Sequence, residues 1–140
     1  MEFSKIIAVT GKPGLFEILS QTKNGVIVAS LLDRKRFPIT ATHNISLLEN
    51  IAIYTFEEEI PLATIFSTIA NKENSKKAIN HKESGKKLEA YFTKILPDYD
   101  DERVYTSNIK KVIQWYNILV TAGFNFSTIT QKETVVSEEE

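Results

Sequence analysis

Short apolar runs alternate with turn-forming residues over the first sixty positions of the chain. The runs are rich in β-branched and aromatic side chains, a composition that favours strands. Candidate strands cover residues 6–9, 15–21, 26–32, 37–40 and 51–56. A single helical turn is expected at residues 45–49. Because a sheet this small loses its exposed edges when it curls and closes, the pattern predicts a small SH3-like β barrel over residues 1–58.

Two glycine-containing sequences predict tight turns within this region. Residues 11–14 are Gly-Lys-Pro-Gly, and Asn24-Gly25 stands between two apolar runs. An Asn-Gly pair in that position is the strongest short hairpin signal, because both residues adopt positive φ at low cost. We therefore predict a hairpin in which Gly25 has positive φ.

From residue 59 onwards, apolar residues recur at the i, i+3, i+4 spacing of amphipathic helices. Three helices are predicted, with apolar positions at 62–69, 88–95 and 109–120. Pro97 and Gly123 are placed to end the second and third helices, and Ser107 is placed to cap the third. We expect an α+β fold in which a helical region over residues 59–128 packs on the barrel. A flexible acidic tail is expected over residues 129–140.

The composition is that of a globular protein and removes several kinds of chemistry. The 140 residues suggest one domain, or two small ones in contact. The chain has no cysteine, which excludes thiol catalysis, thiolate metal sites and redox switching. No apolar run approaches the roughly 20 residues of a membrane-spanning helix, and the N-terminal residues do not resemble a signal peptide. We therefore expect a cytoplasmic protein without a membrane partner.

Charge is divided into blocks that the net charge of −1 conceals. Residues 71–96 contain seven lysines against three glutamates, whereas residues 97–102 contain four carboxylates and no cation. A neutral overall balance counts against nucleic-acid binding, so that role would depend on the local basic stretch. Its first part, residues 71–84, lacks a helical period and is expected to be a linker or a short solvated helix.

Motifs that carry catalysis or bind metals are missing. The two histidines, His43 and His81, have no partners at metal-ligand spacing. There is no Gly-x-Ser-x-Gly elbow, and the Gly-Lys-Pro-Gly sequence is not a phosphate-binding loop. The aspartates within residues 98–101 resemble the start of a calcium loop but lack its glycine and its final glutamate. We expect no catalytic residue, no metal and no cofactor, and therefore not an enzyme. No small-molecule ligand is evident from the sequence.

The basic stretch supplies the first group of candidate binding residues. Lys76, Lys77, Lys86 and Lys87 lie beside a predicted helix that carries Tyr91. Lysines on a flexible segment are suited to contact phosphates. The competing interpretation is that they only keep a linker solvated.

Trp115 and Arg103 are the other residues of interest. Neighbours on a helix point about 100° apart, so Trp115 lies off the centre of the apolar face that Tyr116 marks. It then either covers the core or lies in an interface, where tryptophan is enriched. Arg103 is expected to form a structural salt bridge with the acidic residues that precede it.

Several short sequences resemble an uncharacterised bacterial family of domains of unknown function. In the N-terminal part they are Gly-Lys-Pro-Gly-Leu at 11–15, Ser-Gln-Thr-Lys-Asn-Gly at 20–25 and Arg-Phe-Pro at 36–38. In the helical part they are Arg-Val-Tyr at 103–105, Ser107 with Ile-Lys-Lys at 109–111, and Trp-Tyr-Asn at 115–117. The resemblance covers about residues 3–120. It implies a small β domain followed by a helical part, and it carries over no catalytic residue.

These observations favour a non-catalytic interaction module that binds a protein partner or forms a homodimer. The hypothesis depends on the missing catalytic residues and on two parts that are each too small to bury a large core. The alternative is an RNA- or DNA-binding module that uses the barrel and lysines 76–87.

Overall fold

The computed structural model describes residues 1–40 and 43–129. The chain divides into two compact units, Met1–Ile51 and a second unit that begins at Ala52. In the part of the chain that is described, no helix has both the length and the hydrophobicity needed to cross a bilayer. The fold is α+β: the first unit contains a five-stranded antiparallel sheet, and the described part of the second contains three α-helices.

The sheet of the first unit contains five of the strands along the chain. They are β1 (Ile6–Val9), β2 (Phe16–Thr22), β3 (Gly25–Ser30), β4 (Arg36–Thr40) and β5 (Ile45–Leu47). Their order in the sheet is β4-β3-β2-β1-β5, and every neighbouring pair is antiparallel. Short 3₁₀ turns precede β1 at Phe3–Lys5 and follow β5 at Leu48–Asn50.

One face of this sheet carries a hydrophobic cluster of the first unit, while Ile6, Leu15, Ala29, Leu31 and Leu48 are buried outside it. All five strands contribute to it, because alternate side chains of a strand share a face. The buried members are Ile7, Val9, Phe16, Val28 and Ile39. Partly buried side chains pack against them, namely Ile18, Val26, Phe37 and Leu47. The rings of Phe16 and Phe37 meet edge to face with their centroids 5.4 Å apart.

The predicted SH3-like barrel is not confirmed. Among the described residues, β4 and β5 form the two edges of the sheet and no ladder joins them. The strand predicted at residues 51–56 pairs with a strand of the second unit instead. Residues 45–49, predicted as one helical turn, form β5 and the start of a 3₁₀ turn. Residues 52–54 pair with residues 59–61, which follow them closely in the chain. Closing this short loop costs less entropy than pairing with a more distant strand of the first unit.

The hairpin at Asn24-Gly25 is confirmed, but the predicted conformation of Gly25 is wrong. Gly25 is the first residue of β3 and pairs with both Thr22 and Thr40. It is not among the glycines with positive φ, which are Gly11, Gly14 and Gly123. A Cβ atom at Gly25 would lie 2.0 Å from the carbonyl oxygen of Ile39. Glycine is therefore required by the close approach of β4 rather than by a left-handed turn.

The second unit begins with a hairpin and continues with the helices. Its elements are β6 (Ala52–Tyr54), β7 (Glu59–Pro61), α1 (Leu62–Glu73), α2 (Gly85–Ile95) and α3 (Thr106–Thr121). The unit boundary thus lies at residues 51/52 rather than at the predicted 58/59. The reason is that β6 bonds to a later part of the second unit, since the Asp100 amide donates to the Tyr54 carbonyl over 2.9 Å.

The three predicted helices are confirmed, with one corrected end. α2 ends before Pro97, and α3 ends before Gly123, whose φ is +82°. Ser107 does not cap α3, because the helix already begins at Thr106. Instead the side-chain oxygen of Asn108 accepts the backbone N–H of Tyr105 at 2.8 Å. A polar side chain in the first turn therefore closes this end of the helix.

The apolar faces of the helices form the core of the second unit, together with aromatic residues that follow α3. Phe66 of α1 and Tyr116 of α3 have ring centroids 6.3 Å apart. Phe126 stacks on Tyr116 at 5.0 Å. Ile129 is buried, so the tail predicted over 129–140 has its first residue in the core. The remainder of that tail lies outside the described residues.

The close approach at Gly25 predicts that both Gly25→Ala and Gly25→Asn destabilise the protein, by about 1–3 kcal/mol as for other overpacked sites. Chemical unfolding of each variant measures the change. The matched control is Gly11→Asn, because Gly11 has φ +84° and nothing near its missing Cβ. Asparagine adopts positive φ readily, so this control should lose much less stability. If Gly25→Asn were as stable as the parent, the steric explanation would be wrong.

Candidate functional site

The β6–β7 hairpin of the second unit lies against the residues that connect α2 to α3. The Asp100 amide donates to the Tyr54 carbonyl, and the Phe56 amide donates to the Asp98 carbonyl over 3.2 Å. A β-bridge joins Thr55 to Tyr99. The residues that follow, 103–105, lead from this junction into α3. Backbone hydrogen bonds therefore hold residues 54–56 and 98–100 side by side.

Thr55 fixes the tip of the hairpin. Its side chain is buried, and its hydroxyl donates to the Glu58 carbonyl over 2.6 Å while accepting the Glu58 amide at 2.9 Å. Its own amide also donates to the Glu58 carbonyl, over 2.8 Å. The turn is closed by the hydrogen bonds between Thr55 and Glu58. The two residues between them, Phe56 and Glu57, are therefore exposed at the tip of the hairpin.

Arg103 links the converging stretches through three groups. Its Nε donates to Oδ2 of Asp100 over 2.7 Å, and its Nη2 lies 3.5 Å from the Thr55 carbonyl. Its guanidinium carbon lies 4.3 Å from the centre of the Tyr54 ring, a cation–π distance. The predicted salt bridge between Arg103 and the acidic stretch is thus confirmed, with Asp100 as the partner.

Asp100 is a structural residue rather than a solvated member of an acidic loop. Besides Arg103, its carboxylate accepts the Glu102 amide at 3.0 Å, and its carbonyl accepts the Val104 amide at 2.8 Å. The hydrogen bond from Arg103 is the main reason that the pKa of Asp100 is lowered, and partial desolvation opposes it. No cluster of three or more metal-ligating side chains occurs within the described residues.

Three large aromatic side chains of the stretches that form or follow this junction are exposed. Tyr54 is 40% exposed, and Phe56 and Tyr105 are each 65% exposed. We call these three residues the aromatic surface. Single exposed apolar side chains are ordinary, but aromatic residues and arginine are enriched at contact surfaces, and here Arg103 lies against the Tyr54 ring. The sequence analysis did not select this group: it placed Phe56 at the end of a predicted strand and Tyr105 in a family motif, and apolar spacing does not show that either side chain is exposed.

The sequence-predicted lysines lie outside the stretches that form this junction, although Gly85, which precedes Lys86, approaches the side chain of Thr106, which follows Tyr105. Lys76 and Lys77 lie in the connection between α1 and α2, and Lys86 and Lys87 lie in the first turn of α2. All four are exposed. Lys87 is paired with Glu83 at 3.6 Å.

The connection that carries Lys76 and Lys77 is anchored rather than a free linker. The Tyr116 hydroxyl donates to the Lys76 carbonyl over 2.7 Å. The side chain of Asn117 accepts the Ala78 amide at 2.8 Å and donates to the Ile79 carbonyl over 3.0 Å. Burial, followed by the charge of Glu73, raises the pKa of Tyr116 to about 12. Two adjacent residues of α3 thus hold a connection that has no secondary structure of its own.

The remaining predicted residues are placed in or near the core. Tyr91 is buried, its hydroxyl donates to the Glu73 carboxylate, and Lys72 lies over its ring at 5.9 Å. Burial is the main cause that raises the pKa of Tyr91. Trp115 is half-buried on α3. Tyr91 is therefore not presented to a ligand together with the lysines.

Known proteins share the two-part layout of this chain. Residues 3–48 match a family described as Domain of unknown function (DUF5606), and residues 51–119 match one described as Domain of unknown function (DUF6852). A solution NMR structure of a protein from Bacteroides vulgatus, a target of the Northeast Structural Genomics Consortium, is 43% identical to this chain, with a TM-score of 0.72. The similarity covers 87% of this chain and 88% of that one. The chain therefore belongs to the uncharacterised bacterial family of DUF5606 and DUF6852 domains.

Membership of the family of DUF5606 and DUF6852 domains confirms the resemblance that the short motifs indicated. The point where one matched domain ends and the next begins, between residues 48 and 51, agrees with the unit boundary at Ile51. Two of the motifs have structural roles in this chain: Arg103 joins the hairpin to Asp100, and Asn117 holds the connection after α1. No curated protein is significantly similar to the chain.

The anchoring of the connection predicts that Asn117→Ala destabilises the protein by about 1–3 kcal/mol, because two backbone groups lose their partner. Amide hydrogen exchange should accelerate at Ala78, whose N–H loses its acceptor. Gln114→Ala on the same helix is the control and should leave that exchange unchanged. Equal exchange at Ala78 in the parent and in Asn117→Ala would contradict the anchor.

The Asp100–Arg103 pair predicts a specific dependence on pH. A lowered carboxyl pKa adds stability above the unfolded value of about 3.9, and this stability is lost as the pH falls through the folded pKa. In Arg103→Met the main cause is removed, so the pKa of Asp100 should rise and acid unfolding should begin at higher pH. NMR titration of the carboxyl carbon measures the pKa, with Arg36→Met as the control. An unchanged pKa in Arg103→Met would show that the pair is not its cause.

Proposed function

We propose that this protein is a non-catalytic interaction module of the bacterial cytoplasm that binds a protein partner through the aromatic surface of its second unit. The observation that carries the proposal is that Tyr54, Phe56 and Tyr105 are exposed on a frame fixed by backbone hydrogen bonds and by Arg103. Tyrosine and arginine are enriched among the residues that dominate binding energy.

Energetics support a contact role for these side chains. An aromatic side chain buries roughly 150–250 Å² when it is covered, and burial is worth roughly 25 cal/mol per Å² of apolar surface. A protein gains nothing in folding from leaving Phe56 outside its core. Because Thr55 and Asp98 already hold the backbone of the tip, little conformational entropy would be lost when a partner covers Phe56.

The nucleic-acid alternative receives less support from the same unit. Exposed aromatic side chains next to lysines are what single-stranded nucleic acids stack on. Tyr91, the aromatic residue predicted to accompany the lysines, is buried, and its hydroxyl donates to Glu73. Lys87 is also partly neutralised by Glu83. The aromatic surface, for its part, lies among carboxylates, which repel phosphates.

Site-specific photocrosslinking in the native host tests the proposal. A photoreactive phenylalanine analogue at position 56 or 105 should give the same discrete protein adduct. The matched control places the analogue at Leu32, an apolar side chain of the first unit with 61% exposure. The purified partner should then bind the full chain, and Phe56→Ala should weaken that binding about 30-fold, as for residues that dominate an interface. Leu32→Ala should leave the affinity unchanged.

Two outcomes would overturn the proposal. One is that positions 56, 105 and 32 give the same adducts or none. The other is salt-sensitive retention on heparin that is lost when Lys76, Lys77, Lys86 and Lys87 are changed to glutamate, with Phe56→Ala silent. Trp115→Ala tests the alternative contact on α3, since it would weaken partner binding if the interface lay there. An adduct with a second copy of the chain would show that the partner is the protein itself.

A further inference from the structure

We infer that the partner presents a basic segment, rich in lysine or arginine, to the aromatic surface. This inference rests on the proposed function and adds the chemistry of the partner. Its basis is the charge of the two stretches that carry the three aromatic residues. The two stretches that meet there, residues 52–61 and 98–105, contain seven carboxylates and one cation.

The hairpin supplies three of these seven carboxylates. Glu57 and Glu58 follow Phe56 within the tip, and Glu59 is the register partner of Tyr54 across β6 and β7. Directly paired residues in an antiparallel ladder have Cβ atoms about 5 Å apart on the same face. The carboxylate of Glu59 therefore extends from the same face of the hairpin as the Tyr54 ring.

The second stretch supplies the other four, of which Asp100 is paired with Arg103. The Asp98 carbonyl accepts the amide of Phe56, so Asp98 lies beside the tip. Asp101 and Glu102 lie between Asp100 and Arg103. These carboxylates and those of the hairpin form what we call the acidic rim: Glu57, Glu58, Glu59, Asp98, Asp101 and Glu102. All six are exposed, and none forms a salt bridge within the described part of the chain.

The cation within these stretches does not neutralise the rim. Arg103 donates to Asp100 and lies against the Tyr54 ring, so its positive charge is balanced by Asp100 rather than by a carboxylate of the rim. Six unpaired carboxylates in two adjacent stretches repel one another. A partner that brings positive charge removes this repulsion and is attracted within a screening length of about 8–10 Å.

The form of the rim indicates which kind of cation fits. The described residues contain no group of three or more metal-ligating side chains placed to hold a metal ion. The charge is instead distributed along two chain stretches, which suits an extended segment with several cationic side chains. Phe56 and Tyr105 add exposed ring faces, which attract lysine and arginine heads and cover their aliphatic stems. A basic peptide segment therefore satisfies both the charge and the aromatic residues.

The test titrates the isotope-labelled full chain with two synthetic twelve-residue peptides. One repeats Lys-Ala-Leu-Lys three times, and the other replaces every lysine with glutamate. The basic peptide should shift the amide signals of Tyr54, Phe56 and Tyr105, and its binding should weaken as salt is added. The acidic peptide should shift none of them. Equal binding of both peptides, or shifts confined to other parts of the chain, would overturn the inference.

Matched charge variants make the test specific to the rim. Glu57→Gln with Glu59→Gln should weaken binding of the basic peptide about three- to tenfold at low salt, as rim charges do in other interfaces. The control pair is Glu2→Gln with Glu49→Gln, which removes two exposed carboxylates of the first unit and should have no effect. Circular dichroism melting of both double variants verifies that each remains folded.

Failure of this inference can be told apart from failure of the proposed function. If the crosslinked partner binds the full chain and loses affinity in Phe56→Ala, but is insensitive to salt and to the Glu57/Glu59 double variant, the interaction role stands and the basic chemistry is wrong. If position 56 yields no specific adduct, the proposed function itself fails.

Discussion

The ion pair between Asp100 and Arg103 is the interaction on which the candidate site depends. Asp100 lies where the chain leaves α2 and turns towards α3, and its backbone joins β6 while its carboxylate holds the arginine. Arg103 in turn reaches the Thr55 carbonyl and the Tyr54 ring. A two-stranded hairpin on its own is marginally stable in water. The pair and its neighbours attach this hairpin to the helical part of the unit and so fix the direction in which its tip points.

A second set of polar contacts holds another segment of the second unit in place, the connection between α1 and α2. The connection between α1 and α2 has no regular structure, yet its carbonyl and amide groups find partners in Tyr116 and Asn117. Tyr116 also stacks with Phe126 in the core. One residue therefore links apolar packing to the ordering of a polar connection. This explains why a helix of this chain carries a tyrosine and an asparagine side by side.

These two arrangements separate the roles of the charged blocks in the sequence. The lysine-rich block lies on an anchored connection and on the first turn of α2. The acidic block lies around exposed aromatic side chains. Exposed carboxylates beside exposed aromatic rings attract cationic groups. Exposed lysines without exposed aromatic rings are equally consistent with a connection that is only kept solvated. The physical difference is the aromatic area that accompanies the charge.

Periodicity in the sequence determined most of the secondary structure, because helical and strand spacing are local properties. The faces at Leu62 to Ile69 and at Leu88 to Ile95 form helices as expected, and Pro97 and Gly123 follow the ends of α2 and α3. The salt bridge of Arg103 was also predictable, since its partner lies three residues away.

Pairing between residues that are far apart in the sequence was not predictable. The register that brings the Ile39 carbonyl against Gly25, the pairing of β6 with β7 rather than with the first sheet, and the burial of Thr55 that leaves Phe56 exposed all depend on which segments meet in three dimensions. Apolar pattern and turn propensity do not encode those meetings, so the aromatic surface was decided by the tertiary structure alone.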